Sequence, residues 1–416
     1  MMFKKIRGNK DIKKLVENFI SLSAIQLINM VIPLVTLPYV IRVLGLKNYG
    51  VVVLAAAFLT FFNTFTDFSF KITGTRETAL YRHSKLKLNY IYSKVTGFQL
   101  MLVMVSTVII LIIIFLYKPF YEEKTVFFLT IPMLLGYTVF PDWFFQGMED
   151  MKQMAILTSG IKVFFTIGIF VFMKKPADYW MYPLFNSLGY LGAAFLGQYI
   201  ILKKHKLKFS IINIKIIKNT FKTNYPIFIN QFAPNFYNNI TTLLLGLITN
   251  TSMVGLYDAI KKILDLGVNI INIISRVVFP FLNRNKNAFY KYSIFMLIIT
   301  AVLSFLPVIF AKFIFKYIGL HNPESFSILV ILAIGVFFYG LYNIYGLNYF
   351  IINHMDKYVM RNTLIASITG FVLAYPFIKY WDVVGAAANL TLSRFIMGFG
   401  MFYLFYKLKY KQKETL

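Results

Sequence analysis

The stretch Val254–Pro280 reads VGLYDAIKKILDLGVNIINIISRVVFP. Asp258, Lys261, Lys262, Asp265, Asn269, Asn272 and Arg276 recur at steps of three and four, the spacing that stacks side chains on one helical face. The other faces carry Ile, Leu, Val and Phe. From Asp258 to Arg276 such a helix rises roughly 27 Å, close to the hydrocarbon thickness of a bilayer. A charge at that depth costs about 2.5 kcal/mol or more unless it faces protein or water. The stripe therefore predicts a polar cavity or pore within a membrane protein. A plainer reading pairs Asp258 with Lys262 and Lys261 with Asp265 as glue between helices. That reading leaves Arg276 without an acid one turn away.

Composition agrees with a membrane solvent. Of 416 residues, 58% are hydrophobic and only 14% charged, against about 25% charged in soluble domains. Cysteine is absent, which excludes disulfides and thiolate metal sites. The formal net charge of +27 invites a nucleic-acid reading, but the placement of Lys and Arg argues against one.

Twelve spans are expected, at about 15–41, 48–70, 95–117, 125–146, 153–173, 180–202, 223–249, 254–282, 290–312, 324–352, 359–380 and 385–406. The loops between alternate spans differ strongly in Lys and Arg. Lys203–Lys222, the N-terminal segment and the segment after the last span are rich in them; the opposite loops are poor. The positive-inside rule then places both termini in the cytoplasm. The first apolar stretch is too long for a signal peptide, and no small-residue cleavage site follows it.

The fold class expected is an all-α polytopic membrane protein, two six-helix lobes around a central cationic cavity. Residues 1–202 form the N-terminal lobe, 203–222 a cytoplasmic linker and 223–416 the C-terminal lobe. A shift of 205 residues places Gln26 on Gln231, Gly50 on Gly255, Thr64 on Asn269, Asp67 on Asn272 and Lys71 on Arg276. Two such repeats in one orientation suggest a site between them near the midplane. The first and seventh spans are also polar, with Gln26, Asn29, Pro33 and Thr36 in one and Gln231, Pro234, Asn235, Asn238 and Thr242 in the other. Proline inside a membrane helix needs neighbours or water to satisfy the freed backbone groups. Cavity lining and simple kinked packing both meet that need.

No phosphate-binding G-x-x-x-x-G-K-[ST] loop and no H-E-x-x-H occurs. No catalytic residue, metal ligand or cofactor site is assigned. What remains is buried charge. Lys162, Lys261, Lys262, Arg276, Arg394, Arg42 and Lys71 are the candidate substrate-binding cations. Asp67, Asp258 and Asp265 are candidates for coupling. A surplus of cations favours an anionic ligand, although Arg42 and Lys71 lie near enough to span ends to snorkel.

Several motifs together resemble a known family. They are Arg42-Val43-Leu44-Gly45 with Tyr49-Gly50, Gly74-Thr75-Arg76-Glu77, Trp143-Phe144-Phe145-Gln146-Gly147-Met148-Glu149, Gly255-Leu256-Tyr257-Asp258-Ala259, Ser275-Arg276-Val277-Val278-Phe279-Pro280, and Gly385-Ala386-Ala387-Ala388. In order and spacing the set resembles the Wzx-type polysaccharide flippases of the multidrug/oligosaccharidyl-lipid/polysaccharide exporter superfamily. The resemblance implies a non-enzymatic flippase in the bacterial cytoplasmic (inner) membrane. It implies an undecaprenyl-diphosphate-linked oligosaccharide as substrate, carried to the outer leaflet by alternating access for O-antigen or capsule synthesis. It implies the lipid bilayer, a polysaccharide polymerase and a chain-length regulator as partners, with no nucleic acid. Lys261 and Arg394 depart from the family by standing where acids are common, which puts proton coupling at those positions in doubt. Two rivals stand beside this reading. A drug or organic-cation antiporter of the same superfamily would want an excess of buried acids. A membrane-embedded polymerase would need a sizeable outer loop with catalytic basic residues.

Overall fold

The computed structural model describes the backbone of residues 10–414 and the side chains of residues 25–229, 231–232 and 240–409. Among the described residues every regular element is a helix, without strands. Among the residues described with side chains, nine helical segments are long and apolar enough to cross a membrane. Two of them, Ile25–Leu80 and Asp356–Lys409, each hold two of the expected spans. The helix Ile214–Ile248 covers the seventh expected span.

Local chemistry sets the breaks. Helix Lys10–Asp67 turns at Gly45, whose φ of 72° is a left-handed value that glycine adopts without steric cost. Trp381 and Asp382 interrupt Asp356–Glu414 in the same manner, and there a non-glycine residue takes positive φ. Helix Thr251–Arg284 begins where the Asn250 side chain accepts the Met253 N–H at 3.1 Å, a standard N-cap. The expected eighth span therefore starts three residues early. Two runs wind as π-helix, Ile156–Gly160 and Tyr342–Ile351.

The chain divides into two compact units. One comprises residues through Thr36 with Phe58–Phe232; the other comprises Leu37–Ala57 with Ala233–Leu416.

In the first unit, helices Lys124–Val139 and Met181–Lys203 cross at Gly136. A Cβ there would fall 2.5 Å from the Tyr190 carbonyl carbon, so only glycine permits the approach. Trp143, Phe144 and Phe145 are fully buried, in one core with Phe68, Phe70 and Phe98. Gly74 fits against the Trp143 ring, and Gly147 against Thr78. Two of the motifs read from the sequence are thus packing partners of each other. The aromatic run is core, not an interfacial belt.

In the second unit, Leu37–Ala57 crosses the start of helix Thr251–Arg284. A Cβ on Gly50 would overlap the Thr251 carbonyl, and one on Gly255 would lie 2.5 Å from the Leu46 oxygen. The two glycines paired by the 205-residue shift meet each other at this crossing.

Candidate functional site

The first unit contains a partly open cavity of about 230 Å³. Its walls come from five places in the chain: the first span (Ile25, Asn29), the segment after the second span (Lys71), the end of helix Lys124–Val139 with the following turn (Tyr137, Phe140, Asp142), and the facing helices 151–172 and 181–203. Lys71 is the polar centre. Its ammonium donates to the Tyr137 hydroxyl at 2.5 Å, lies 4.0 Å from the centroid of that ring, and pairs with the Asp142 carboxylate at 3.5 Å. Asp67, one turn before Lys71, is half-buried.

Lys71 is held there by local sequence. Ser69 takes a left-handed φ of 66° and starts helix Phe70–Leu80. Thr75 then donates to the Lys71 carbonyl at 2.7 Å and to the Trp143 carbonyl at 3.2 Å. The buried Trp143-Phe144-Phe145 run thereby fixes Asp142 and Lys71 together.

Across the cavity, Lys162 donates to Asn29 Oδ1 at 2.9 Å. Lys162 follows the π-helical turn Ile156–Gly160, which also carries the lining residue Thr158. Single π turns inside α-helices are frequent at functional sites because they shift the helical register by a residue. Asn186, Tyr190, Thr166, Phe165 and Phe185 complete the walls.

The second unit gathers the long polar stripe differently. Asp258 pairs with Lys262 at 2.7 Å, and Tyr49 closes a triangle. The Tyr49 hydroxyl donates to Asp258 at 2.5 Å and accepts from Lys262 at 2.8 Å. Farther along, Arg394, with a side chain only 8% exposed, reaches Asp265 at 3.5 Å. Its guanidinium lies 5.6 Å from the Tyr339 ring centroid, and the Tyr339 hydroxyl donates to Asn272 at 2.8 Å. Asp265 is therefore partnered by Arg394 and not by Lys261, the helical neighbour expected from spacing. Lys261 is half-buried, and Asn269 and Arg276 are exposed. Arg42 donates to the Tyr317 carbonyl at 2.5 Å.

The expected site residues thus separate into groups. Asn29, Lys71 and Lys162 share the cavity of the first unit. Asp258 and Lys262 form one cluster of the second unit, and Asp265, Arg394 and Asn272 another. Gln26 and Gln231 are half-buried. Asn235 and Asn238 lie outside the residues whose side chains are described. Sequence reading missed Tyr49, Tyr137, Asp142, Tyr190 and Tyr339. Asp142 had a visible signal, an acid placed directly after Pro141 at the head of the aromatic motif. Tyr49 stood in the Tyr49-Gly50 motif, but Tyr137, Tyr190 and Tyr339 had no signal, because a tyrosine in an apolar span serves equally as packing.

The polysaccharide biosynthesis protein family model matches residues 15–286. A protein of Escherichia coli (strain K12) named "Putative O-antigen transporter" is 23% identical over 385 residues, covering 90% of this chain and 93% of that protein. A protein of the same name from Shigella dysenteriae is 22% identical, covering 92% and 97%. Among solved structures, the lipid II flippase MurJ in an inward closed conformation superposes with a TM-score of 0.72 at 14% identity, over 95% of this chain and 87% of that one. An inward-facing multidrug resistance MATE family transporter of the MOP superfamily gives 0.65 at 14% identity, over 96% and 100%. The fold is that of the MOP-superfamily transporters, and the chain belongs to the polysaccharide biosynthesis protein family.

Proposed function

We propose that this protein is a flippase that moves an undecaprenyl-diphosphate-linked oligosaccharide from the cytoplasmic to the outer leaflet of a bacterial cytoplasmic membrane. It works by alternating access, with both termini in the cytoplasm. The observation that carries this reading is the end-to-end similarity to two proteins named as O-antigen transporters. Fold alone does not choose, since a lipid-linked-substrate flippase and a drug transporter both share it.

The physical problem suits the parts. The lipid tail stays in the bilayer while the glycan and diphosphate cross among polar groups. Asn, Thr and Tyr satisfy hydroxyls, and Lys and Arg offset phosphate charge. A drug or organic-cation antiporter is the weaker reading. The half-buried acids Asp142, Asp258 and Asp265 each have a Lys or Arg partner within 3.5 Å, so the charge at these three positions is already offset and does not favour a cation. The polysaccharide polymerase and its chain-length regulator are the partners this role calls for, since they consume the flipped unit.

Deleting the gene in its host should abolish the lipid-linked surface polysaccharide and accumulate its repeat unit on the inner leaflet. A plasmid copy should restore the polymer. Unchanged polymer in the deletion strain would contradict the proposal.

A further inference from the structure

We infer that the cavity of the first unit is a saccharide subsite that holds one sugar ring of the transported glycan and not its diphosphate. The inference rests on the flippase reading and assigns a part of the substrate to a particular set of residues.

Charge argues first. The Lys71 ammonium already has the Asp142 carboxylate at 3.5 Å and the Tyr137 hydroxyl at 2.5 Å. A diphosphate placed beside it would also face Asp142, and two like charges in a partly desolvated site oppose each other. A hydroxyl group has no such conflict. It donates to a carboxylate and accepts from an ammonium, so an ion pair flanking a cavity is a ready partner for a polyol.

The rest of the wall has the same double character. Asn186 Nδ2 is turned to the Tyr182 carbonyl at 2.9 Å, so its Oδ1 is the atom left to accept. The Thr158 hydroxyl donates to the Met154 carbonyl at 2.8 Å and keeps its lone pairs. Phe165 and Phe185 present ring surface to the same space, which suits the apolar C–H face of a pyranose. The volume of about 230 Å³ is far above the roughly 10–15 Å³ that one water requires. A space of that order has room for a ring-sized guest. The π turn at Ile156–Gly160 has a role in this picture, since it sets the register in which Thr158 and Lys162 both face the cavity.

The test uses the full-length protein purified in detergent and saturation-transfer NMR with four probes: galactose, N-acetylglucosamine, glucuronate and inorganic pyrophosphate. At least one sugar should show transfer to its ring protons, and pyrophosphate should not displace it. Thr166→Phe and Asn186→Leu, on two different helices, should each weaken that transfer about fivefold, the equivalent of one net hydrogen bond. No transfer to any sugar, displacement by pyrophosphate, or undiminished transfer in both variants would overturn the inference. The competition arm needs no variant to fold. A parallel measurement separates the two proposals. If the deletion strain loses its polymer but both variants, present at wild-type level, restore it fully, the subsite fails while the flippase reading stands. If the deletion strain keeps its polymer, the flippase reading fails and the assignment of the cavity to a transported glycan falls with it.

Discussion

The two units treat similar residues in opposite ways. In the first, Lys71, Lys162, Asn29 and Asp142 surround an open cavity. In the second, Asp258, Lys262 and Tyr49 close on one another, and Arg394 is buried against Asp265 and Tyr339. Counting charges along a helix therefore does not distinguish a lined space from an internally satisfied network. Pairing across helices does, and pairing is invisible until the fold is known. The shift of 205 residues that sets Lys71 on Arg276 makes the contrast sharp. Lys71 lies inside a cavity wall, whereas Arg276 is exposed.

If the second unit's network is mainly structural, breaking it should cost stability before it costs transport. Asp265→Leu strands a guanidinium whose side chain is 8% exposed, and unpairing a buried ion pair costs about 3 kcal/mol or more. The lower figure applies here because Asp265 itself is about a third exposed. The thermal midpoint in detergent should drop markedly, and adding Arg394→Leu to the same chain should recover most of the loss. A single variant as stable as wild type would mean that the pair is solvated and the contrast between units is false.

The first unit should behave in the reverse manner. Lys71→Met and Asp142→Asn should each reduce surface polysaccharide about tenfold or more, while the thermal midpoint moves little, because a cavity wall can take up water where a packed network cannot. A large fall in midpoint with normal polymer per folded molecule would reassign the pair to structure. Tyr49→Phe is a finer probe. It removes the hydroxyl that joins Asp258 and Lys262 but keeps their 2.7 Å contact, so the expected cost is about 1 kcal/mol with transport unchanged.

The smallest effect lies outside the spans, at His205. Burial against Phe144 and the neighbouring Lys204 hold its pKa below the ordinary 6.5. A depressed folded value means that the native state favours the neutral ring. Its contribution is fully present above pH 6.5 and is lost as pH falls through that value toward the folded pKa. The thermal midpoint should decline more steeply between pH 7 and 5 in wild type than in His205→Phe; equal slopes would remove this residue from the acid sensitivity.

Much of this was legible in the sequence. Hydropathy gave an all-helical membrane chain, and the ordered motifs gave the family. Asp258 with Lys262 followed from spacing alone. Two kinds of feature were not legible. One is cross-helix partnering, so that Asp265 was expected to choose its neighbour Lys261 and chose Arg394, 129 positions away. The other is helical register: nothing in Ile156-Leu157-Thr158-Ser159-Gly160 announces a π turn, yet that turn helps set which residues face the cavity. Motifs, too, turned out to mark scaffold more than site. Trp143, Phe144, Phe145 and Gly74 are packing, and the functional candidate Asp142 sits beside them without belonging to the pattern.

The most direct measurement is flipping in proteoliposomes that hold the purified protein and an undecaprenyl-diphosphate-linked oligosaccharide in the leaflet matching the cytoplasmic side. A headgroup carrying about two negative charges gains roughly 4–5 kcal/mol on moving outward across 100 mV, inside negative. The expected result is protein-dependent appearance of the glycan on the opposite leaflet, accelerated by a potassium–valinomycin potential at equal pH and reduced in Lys71→Met. Transfer no faster than in protein-free vesicles, with or without the potential, would contradict the flippase function itself.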